Sequence, residues 1–152
     1  APASIALDPT ALSASDAEAL AEARILIIDD SQVALQQSLQ TLRSLGITCH
    51  TARSAKEAIE RLLELQGTHE QINVVVSDIE MPEMDGYAFT RSLRESSDFK
   101  DLYVLLHTSL DSVLNADKAR VAGADDVLTK FSSPELTKCL VQAARVMQDR
   151  RA

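Results

Sequence analysis

Positive charge is in short supply in this sequence. Fifteen Lys and Arg stand against 23 Asp and Glu, giving a formal net charge of −8 and a pI near 4.8, and the cations form no cluster. Nucleic-acid binding rests on grouped cations facing phosphate, so that class of function is excluded, and acidic partners are repelled unless a divalent cation intervenes. Long apolar runs are missing too. Nothing approaches the length of a membrane span, and the Ala- and Ser-rich start lacks the basic and apolar regions of a signal peptide. The chain therefore reads as cytoplasmic, with no membrane insertion. Cysteine is limited to Cys49 and Cys139, without CxxC spacing, and both read as small buried hydrophobes rather than a disulfide or a metal site. The three histidines, His50, His69 and His107, give no convergent metal set, and His107 reads as a packed strand residue. No internal repeat is present, and low complexity is confined to the N-terminal tail.

What is present suits one globular domain: 152 residues, 45% hydrophobic and 25% charged, enough to bury a sizeable core. Residues 1–23, with Ala, Ser and two Pro, have the composition of a linker or N-terminal extension. Within them Ser15 followed by Glu18 is a capping-box pattern, which predicts a short helix over 16–23 that needs a surface to pack on. The missing initiator Met and the linker character together predict a fragment whose upstream partner lies before Ala1. The folded domain is expected over 24–150. Strands are predicted at 24–28, 47–51, 72–78, 102–107 and 126–129. The first following helix carries Leu35, Leu39, Leu42 and Leu45 on one face, with Gly46 placed to end it. Ser54 caps the next, which should bury Ala55, Ala58, Ile59, Leu62 and Leu63 and stop near Gly67. A helix over 87–94 buries Phe89 and Leu93, another over 112–122 stops at Gly123, and the last starts at a Ser133 cap with Pro134 in its first turn and shows Leu136, Leu140, Ala144 and Met147. Apolar strands alternating with helices call for an α/β fold: a doubly wound, five-stranded parallel sheet covered on both faces.

Open α/β sheets bind ligands outside the carboxyl ends of their strands. Asp29 and Asp30 close the first strand, Asp78 the third, Thr108 and Ser109 the fourth, and Lys130 the fifth. If the first and third strands are neighbours, three carboxylates converge, each like pair repelling by roughly 3 kcal/mol at an effective dielectric of about 20 and about 5 Å. A retained proton or a cation must answer that repulsion. Oxygen-only ligands with room for water suit Mg²⁺ or Mn²⁺ better than zinc. A carboxylate nucleophile, a cation site, a hydroxyl and an ammonium in one crevice are what phosphoryl transfer to an aspartate requires, with Asp30, Asp78 and a backbone carbonyl near Glu80 holding the ion. Each residue has a plainer reading: acids at a helix N-terminus for Asp29 and Asp30, a turn former for Asp78, a β-branched strand end for Thr108, a solvated loop cation for Lys130. Their coincidence at strand ends favours a site.

At these residues the chain resembles the receiver domain of two-component response regulators. The resemblance covers about residues 24–147 and rests on five motifs in order: IDDS, SDIEMPEMDG, HTS, GADD and the lysine before Phe131. It implies a flavodoxin-like receiver fold with sheet order 2-1-3-4-5 and a phosphoryl group accepted on Asp78 from a sensor histidine kinase. It further implies Mg²⁺ bound by Asp30, Asp78 and the Glu80 carbonyl directly and by Asp29 through water, a switch hydroxyl on Thr108, and a phosphate-contacting Lys130. Such a module is not an enzyme in the turnover sense. It signals through protein–protein contacts of its last two helices, or serves as a phosphate sink or adaptation module. The wording SDIEMPEMDGY, LHTSL and KF is similar to the receiver half of CheV-type chemotaxis coupling proteins. That resemblance implies a scaffold domain upstream, contact with a chemoreceptor and kinase array, and residues 1–23 as interdomain linker.

Two departures from the family pattern stand out. Phe131 occupies the place of a proline that the family joins to the lysine by a cis bond, and a cis bond to a non-proline residue costs about 3 kcal/mol. Val127 stands where the family often has Tyr or Phe, so an aromatic rotamer switch is not expected. The same residues admit two other readings. A metal-dependent phosphohydrolase with an aspartyl intermediate would use Glu80, two residues after Asp78, as acid/base. A degenerate receiver would only dock other proteins.

Overall fold

A computed structural model describes residues 13–47, 49–107, 116–128 and 132–151. Five strands, β1 (Ile25–Ile28), β2 (Cys49–Ala52), β3 (Val74–Asp78), β4 (Tyr103–His107) and β5 (Asp126–Leu128), form one parallel sheet in the order β2-β1-β3-β4-β5. Among the described residues six helices accompany them: α1 (Ala14–Ala21), α2 (Gln32–Ser44), α3 (Ala55–Leu65), α4 (Gly86–Glu95), α5 (Ala116–Ala122) and α6 (Ser133–Arg151). The expected doubly wound architecture and strand order are both present.

The three central strands are largely apolar because successive residues face different cores. Leu26, Ile28, Val75, Val104 and Leu106 point to the side covered by α3, α4 and α5. Ile25, Ile27, Val74, Val76, Tyr103 and Leu105 point to the side covered by α1, α2 and α6. Helix boundaries follow side-chain caps: Ser31, Ser54 and Asp85 each accept the N–H three residues on, from Ala34, Glu57 and Ala88. Gly46 and Gly67 take left-handed backbone, φ +75° and +80°, where α2 and α3 end.

Several local expectations shift. The N-terminal helix starts at Ala14 on a Ser13 cap, whose hydroxyl accepts the Asp16 N–H at 3.1 Å, instead of on Ser15. The last helix is capped one residue early, by Ser132, which accepts the Glu135 and Leu136 N–H groups. The Ser133 hydroxyl pairs with Thr41 at 2.8 Å instead. In α2 the buried positions are Leu35, Ser38 and Leu42, with Leu39 at the margin. Leu63 is 53% exposed, because α3 buries the stripe Ala55, Ala58, Leu62 and Leu65, and Leu63 lies about 100° round the helix from Leu62. The start of the helix expected over 112–122 lies outside the described residues.

Helix α1 is seated against α6. Ala19, Leu20 and Ala23 enter the α2/α6 core, Arg145 bonds Ser15 and pairs with Asp16, and Gln148 donates to Glu22 at 2.9 Å. Arg24 closes the helix end, its Nη1 donating to the Ala21 carbonyl at 3.0 Å. Asn73 bridges Glu22 and the Arg24 N–H, tying α1 to the strand it precedes.

Candidate functional site

Parallel strands deliver their carboxyl ends to one edge, and register decides which residues meet there. Ile28 pairs with Ser77 across β1 and β3, so the next residues, Asp29 and Asp78, emerge side by side. One carboxylate oxygen each of Asp29, Asp30 and Asp78 lies within 4.8 Å of the other two. Asp29 and Asp78 are buried and Asp30 is exposed. Asp29 accepts the Ser31 N–H at 2.9 Å and Asp78 the Glu80 N–H at 3.3 Å, which fixes each carboxylate against its own following turn.

Burial raises the pKa of Asp78, and the Asp29 charge beside it adds to the effect, pushing the carboxyl up to about 7. Asp29 is raised as well, first by burial. The pair therefore retains a proton in the absence of a cation, as expected for like charges in a part-buried site. Three convergent carboxylates, with no nitrogen or sulfur donor in the cluster among the described residues, fit a hard cation such as Mg²⁺, which would keep several of its waters. An open cleft of about 460 Å³ continues from the acids, walled by Asp30, Val33, Gln37, Asp78 and Glu80.

The floor of the site is backbone. The Ile79 N–H donates to the His107 carbonyl at 2.9 Å, and the Gly86 N–H to the Ile79 carbonyl at 2.8 Å. At Gly86 a Cβ would lie 2.6 Å from the Asp78 carbonyl oxygen and 2.9 Å from Ile79 Cα, so the start of α4 can press on the Asp78 strand end only as glycine. His107 is buried in the next strand, its pKa lowered to about 4 by burial against the opposing charge of Glu80. It is the packed strand residue expected. Cys49 and Cys139 are half-buried free thiols raised to about 11 by burial, which leaves them unreactive.

Of the residues singled out in the sequence, Asp29, Asp30 and Asp78 are brought together, and Asp30, Asp78 and Glu80 line one cleft. Thr108, Ser109, Lys130 and Phe131 lie outside the described residues. Val127 packs half-buried against the α3/α4/α5 core. Sequence reasoning missed Arg94. Its guanidinium reaches the carbonyls of Gly123, Lys100 and Leu102 and the carboxylate of Asp125. The GADD motif containing Gly123 and Asp125 was visible, but three of these partners are carbonyls, which every residue carries.

The sequence profile of the "Response regulator receiver domain" family matches residues 25–141. Protein PilG of Pseudomonas aeruginosa is 32% identical over 114 residues, 74% of this chain and 81% of that protein. Chemotaxis protein CheV3 of Helicobacter pylori is 28% identical over 122 residues, 77% of this chain but 39% of its own length, so the chain spans well under half of that relative. Among solved structures, Vibrio cholerae chemotaxis protein CheY4 superposes with a TM-score of 0.70 at 29% identity, covering 81% of this chain and 99% of that one.

Proposed function

The chain belongs to the response regulator receiver domain family, the receiving half of two-component signalling, and on that premise we propose that Asp78 is its phosphoacceptor and that a sensor histidine kinase is the donor. The observation that carries this reading is the meeting of Asp29, Asp30 and Asp78 within 4.8 Å at the ends of adjacent parallel strands. An Asp78 carboxylate oxygen attacks phosphorus, the bond from phosphorus to the donor imidazole nitrogen breaks, and the freed imidazole takes up a proton. Asp29, Asp30, Asp78 and the Glu80 carbonyl would hold Mg²⁺, whose charge offsets that on the transferring oxygens. Thr108 and Lys130 follow β4 and β5 in sequence and are assigned the switch hydroxyl and the phosphate-contacting ammonium. The Glu80 N–H bond to Asp78 and the backbone seat under Gly86 keep the nucleophile from turning away.

Residues 24–150 form the receiver unit in this reading, with helix α1 seated on it. The likeness to CheV3 and CheY4 supports a chemotaxis setting, in which the receiver acts by protein contacts as an adaptation module or phosphate sink in the cytoplasm. No described helix is long and apolar enough to cross a membrane. The test is incubation with Mg²⁺ and a small acyl phosphate, beside Asp78→Asn, read by intact mass. One phosphoryl group, dependent on Mg²⁺ and absent in the variant, is the expected result. Steady turnover of phosphate esters would point to a hydrolase with Glu80 as acid/base, and no label would leave a receiver that only docks.

A further inference from the structure

The two acids that follow β1 are held from the neighbouring strand as well as from their own turn. Ile28 pairs with Ala52 across β1 and β2, and the Ala52 carbonyl accepts the Asp29 N–H at 3.1 Å, so the ladder reaches the first acid. Arg53, the next residue along, carries the hold one step further: its Nη2 donates to the Asp30 carbonyl at 3.3 Å. Consecutive residues at the end of β2 thus grip the backbone of consecutive acids. The Asp30 carbonyl lies just outside α2. The first helical bond there runs from the Leu35 N–H to the Ser31 carbonyl, and the Ala34 N–H, which would otherwise reach Asp30, goes to the Ser31 hydroxyl. The guanidinium therefore takes a place that no helical N–H fills.

Asp30 is the member of the trio that most needs such a hold. Asp29 and Asp78 are buried and each accepts an N–H from its own following turn, whereas Asp30 is exposed and no such bond fixes its carboxylate among the described residues. Its aim depends on its backbone. Arg53 is anchored in turn. Ser54 caps α3, its hydroxyl accepting the Glu57 N–H at 3.1 Å, and Glu57 Oε2 accepts the Arg53 N–H at 3.3 Å. This is a capping box with its return bond one residue upstream of the cap, and it fixes the point from which the Arg53 side chain reaches over to β1. We propose that Arg53 is a positioning residue of the cation site, keeping Asp30 in line with Asp29 and Asp78 through the Asp30 carbonyl. The inference rests on the cation-site reading above and names the residue outside the acid trio that completes it.

The guanidinium has two effects on a bound cation, and they differ in sign. Its charge repels Mg²⁺, so loss of the charge alone tightens binding. Its bond orders a ligand, so loss of the bond weakens binding. The proposal requires the second effect to exceed the first, and calorimetric titration of the metal-free full chain with Mg²⁺ near pH 7 decides between them. Arg53→Ala should bind Mg²⁺ about three- to tenfold more weakly, a smaller loss than for a buried residue that orients a metal ligand because this bond is exposed. Arg53→Lys, which keeps a donor and the charge, should recover most of that loss. Arg61→Ala removes a cation from the exposed side of α3, where it pairs with Glu64, and should leave the affinity where it was. The Mg²⁺ concentration giving half the maximal rate of labelling by acetyl phosphate should rise in Arg53→Ala by the same factor as the dissociation constant. Affinity in Arg53→Ala equal to or tighter than that of the unsubstituted protein overturns the proposal, as does a loss that Arg53→Lys fails to reduce. Absence of Mg²⁺ binding by the unsubstituted protein overturns the cation-site reading and this inference with it.

Discussion

Gly86 shows how much of this site depends on single atoms. The acids supply the charge, but their placement depends on a helix start that lies against the carbonyl of Asp78 with no space for a methyl group. Gly86→Ala would force backbone apart at the strand end, since neither contacting atom belongs to a flexible side chain. The expected cost is about 1–3 kcal/mol in urea unfolding, with phosphorylation of Asp78 slowed out of proportion to that loss. Equal labelling rates in the two proteins would show that the contact is only packing. Asp29, Asp30 and Asp78 were legible in the sequence because acids directly after apolar strands are conspicuous. The tightness at Gly86 was not, because a sequence names the glycine and not the carbonyl it faces. Arg94 was hidden for the same reason.

Among the elements, the five strands and five of the helices follow from apolar periodicity and caps, and the structure moves their ends by a residue or two. The helical phase differs at Leu63, which lies on the exposed margin of α3 and not in its core. The serine caps misjudged at both ends of the chain come from adjacent candidates, Ser13 or Ser15 and Ser132 or Ser133, between which composition does not decide. Helix α1 is expected from its capping pattern, but its place in the domain is not: residues 14–23 have the composition of a linker, yet Leu20 is 2% exposed, and Arg145, Gln148 and Asn73 hold the segment to the domain over more than 50 residues of sequence or more than 120. Its partners lie too far along the chain for any local pattern to announce them. Leu20→Ala should cost about 2–4 kcal/mol of unfolding free energy, the usual range for a buried leucine. It should also release the amides of 14–21 to fast hydrogen exchange while those of β1 and β3 stay protected. Unchanged stability would mean that α1 adds nothing to the domain.

For the molecule as a whole, the buried ionisable groups set how stability varies with pH. Asp78 has its pKa raised from 3.8 to about 7, so the folded state holds a proton that the unfolded chain releases, and stability falls as pH rises through that window. Asp29, also raised, acts in the same sense. His107 is lowered from 6.5 to about 4, so the unfolded chain binds the extra proton, and its contribution is complete above 6.5 and lost as pH falls towards 4. The two slopes oppose each other, each limited to about 1.4 kcal/mol per pH unit. Without Mg²⁺ the fall from the carboxylates therefore opposes the rise from His107 between pH 4 and 6.5, and Asp78→Asn, which removes one of the falling contributions, should shift the slope of stability against pH upward relative to the unsubstituted protein across the same range. Parallel profiles for the two would mean that Asp78 titrates normally. Strand ends made the acids visible and alternation the parallel sheet, but the strand order, and with it the convergence of the acids, came from the resemblance to the receiver family. The pKa values were not readable, because they depend on burial that only the assembled sheet supplies.

All of these effects meet in the claim that Asp29, Asp30 and Asp78 are built to share one divalent cation, and calorimetric titration of the metal-free protein with Mg²⁺ near pH 7 measures that directly. The account predicts saturable binding of a single ion with release of protons from the Asp29–Asp78 pair, and affinity lowered by about tenfold or more in Asp30→Asn and in Asp78→Asn. Binding that is absent, or that survives both substitutions unchanged, would contradict it.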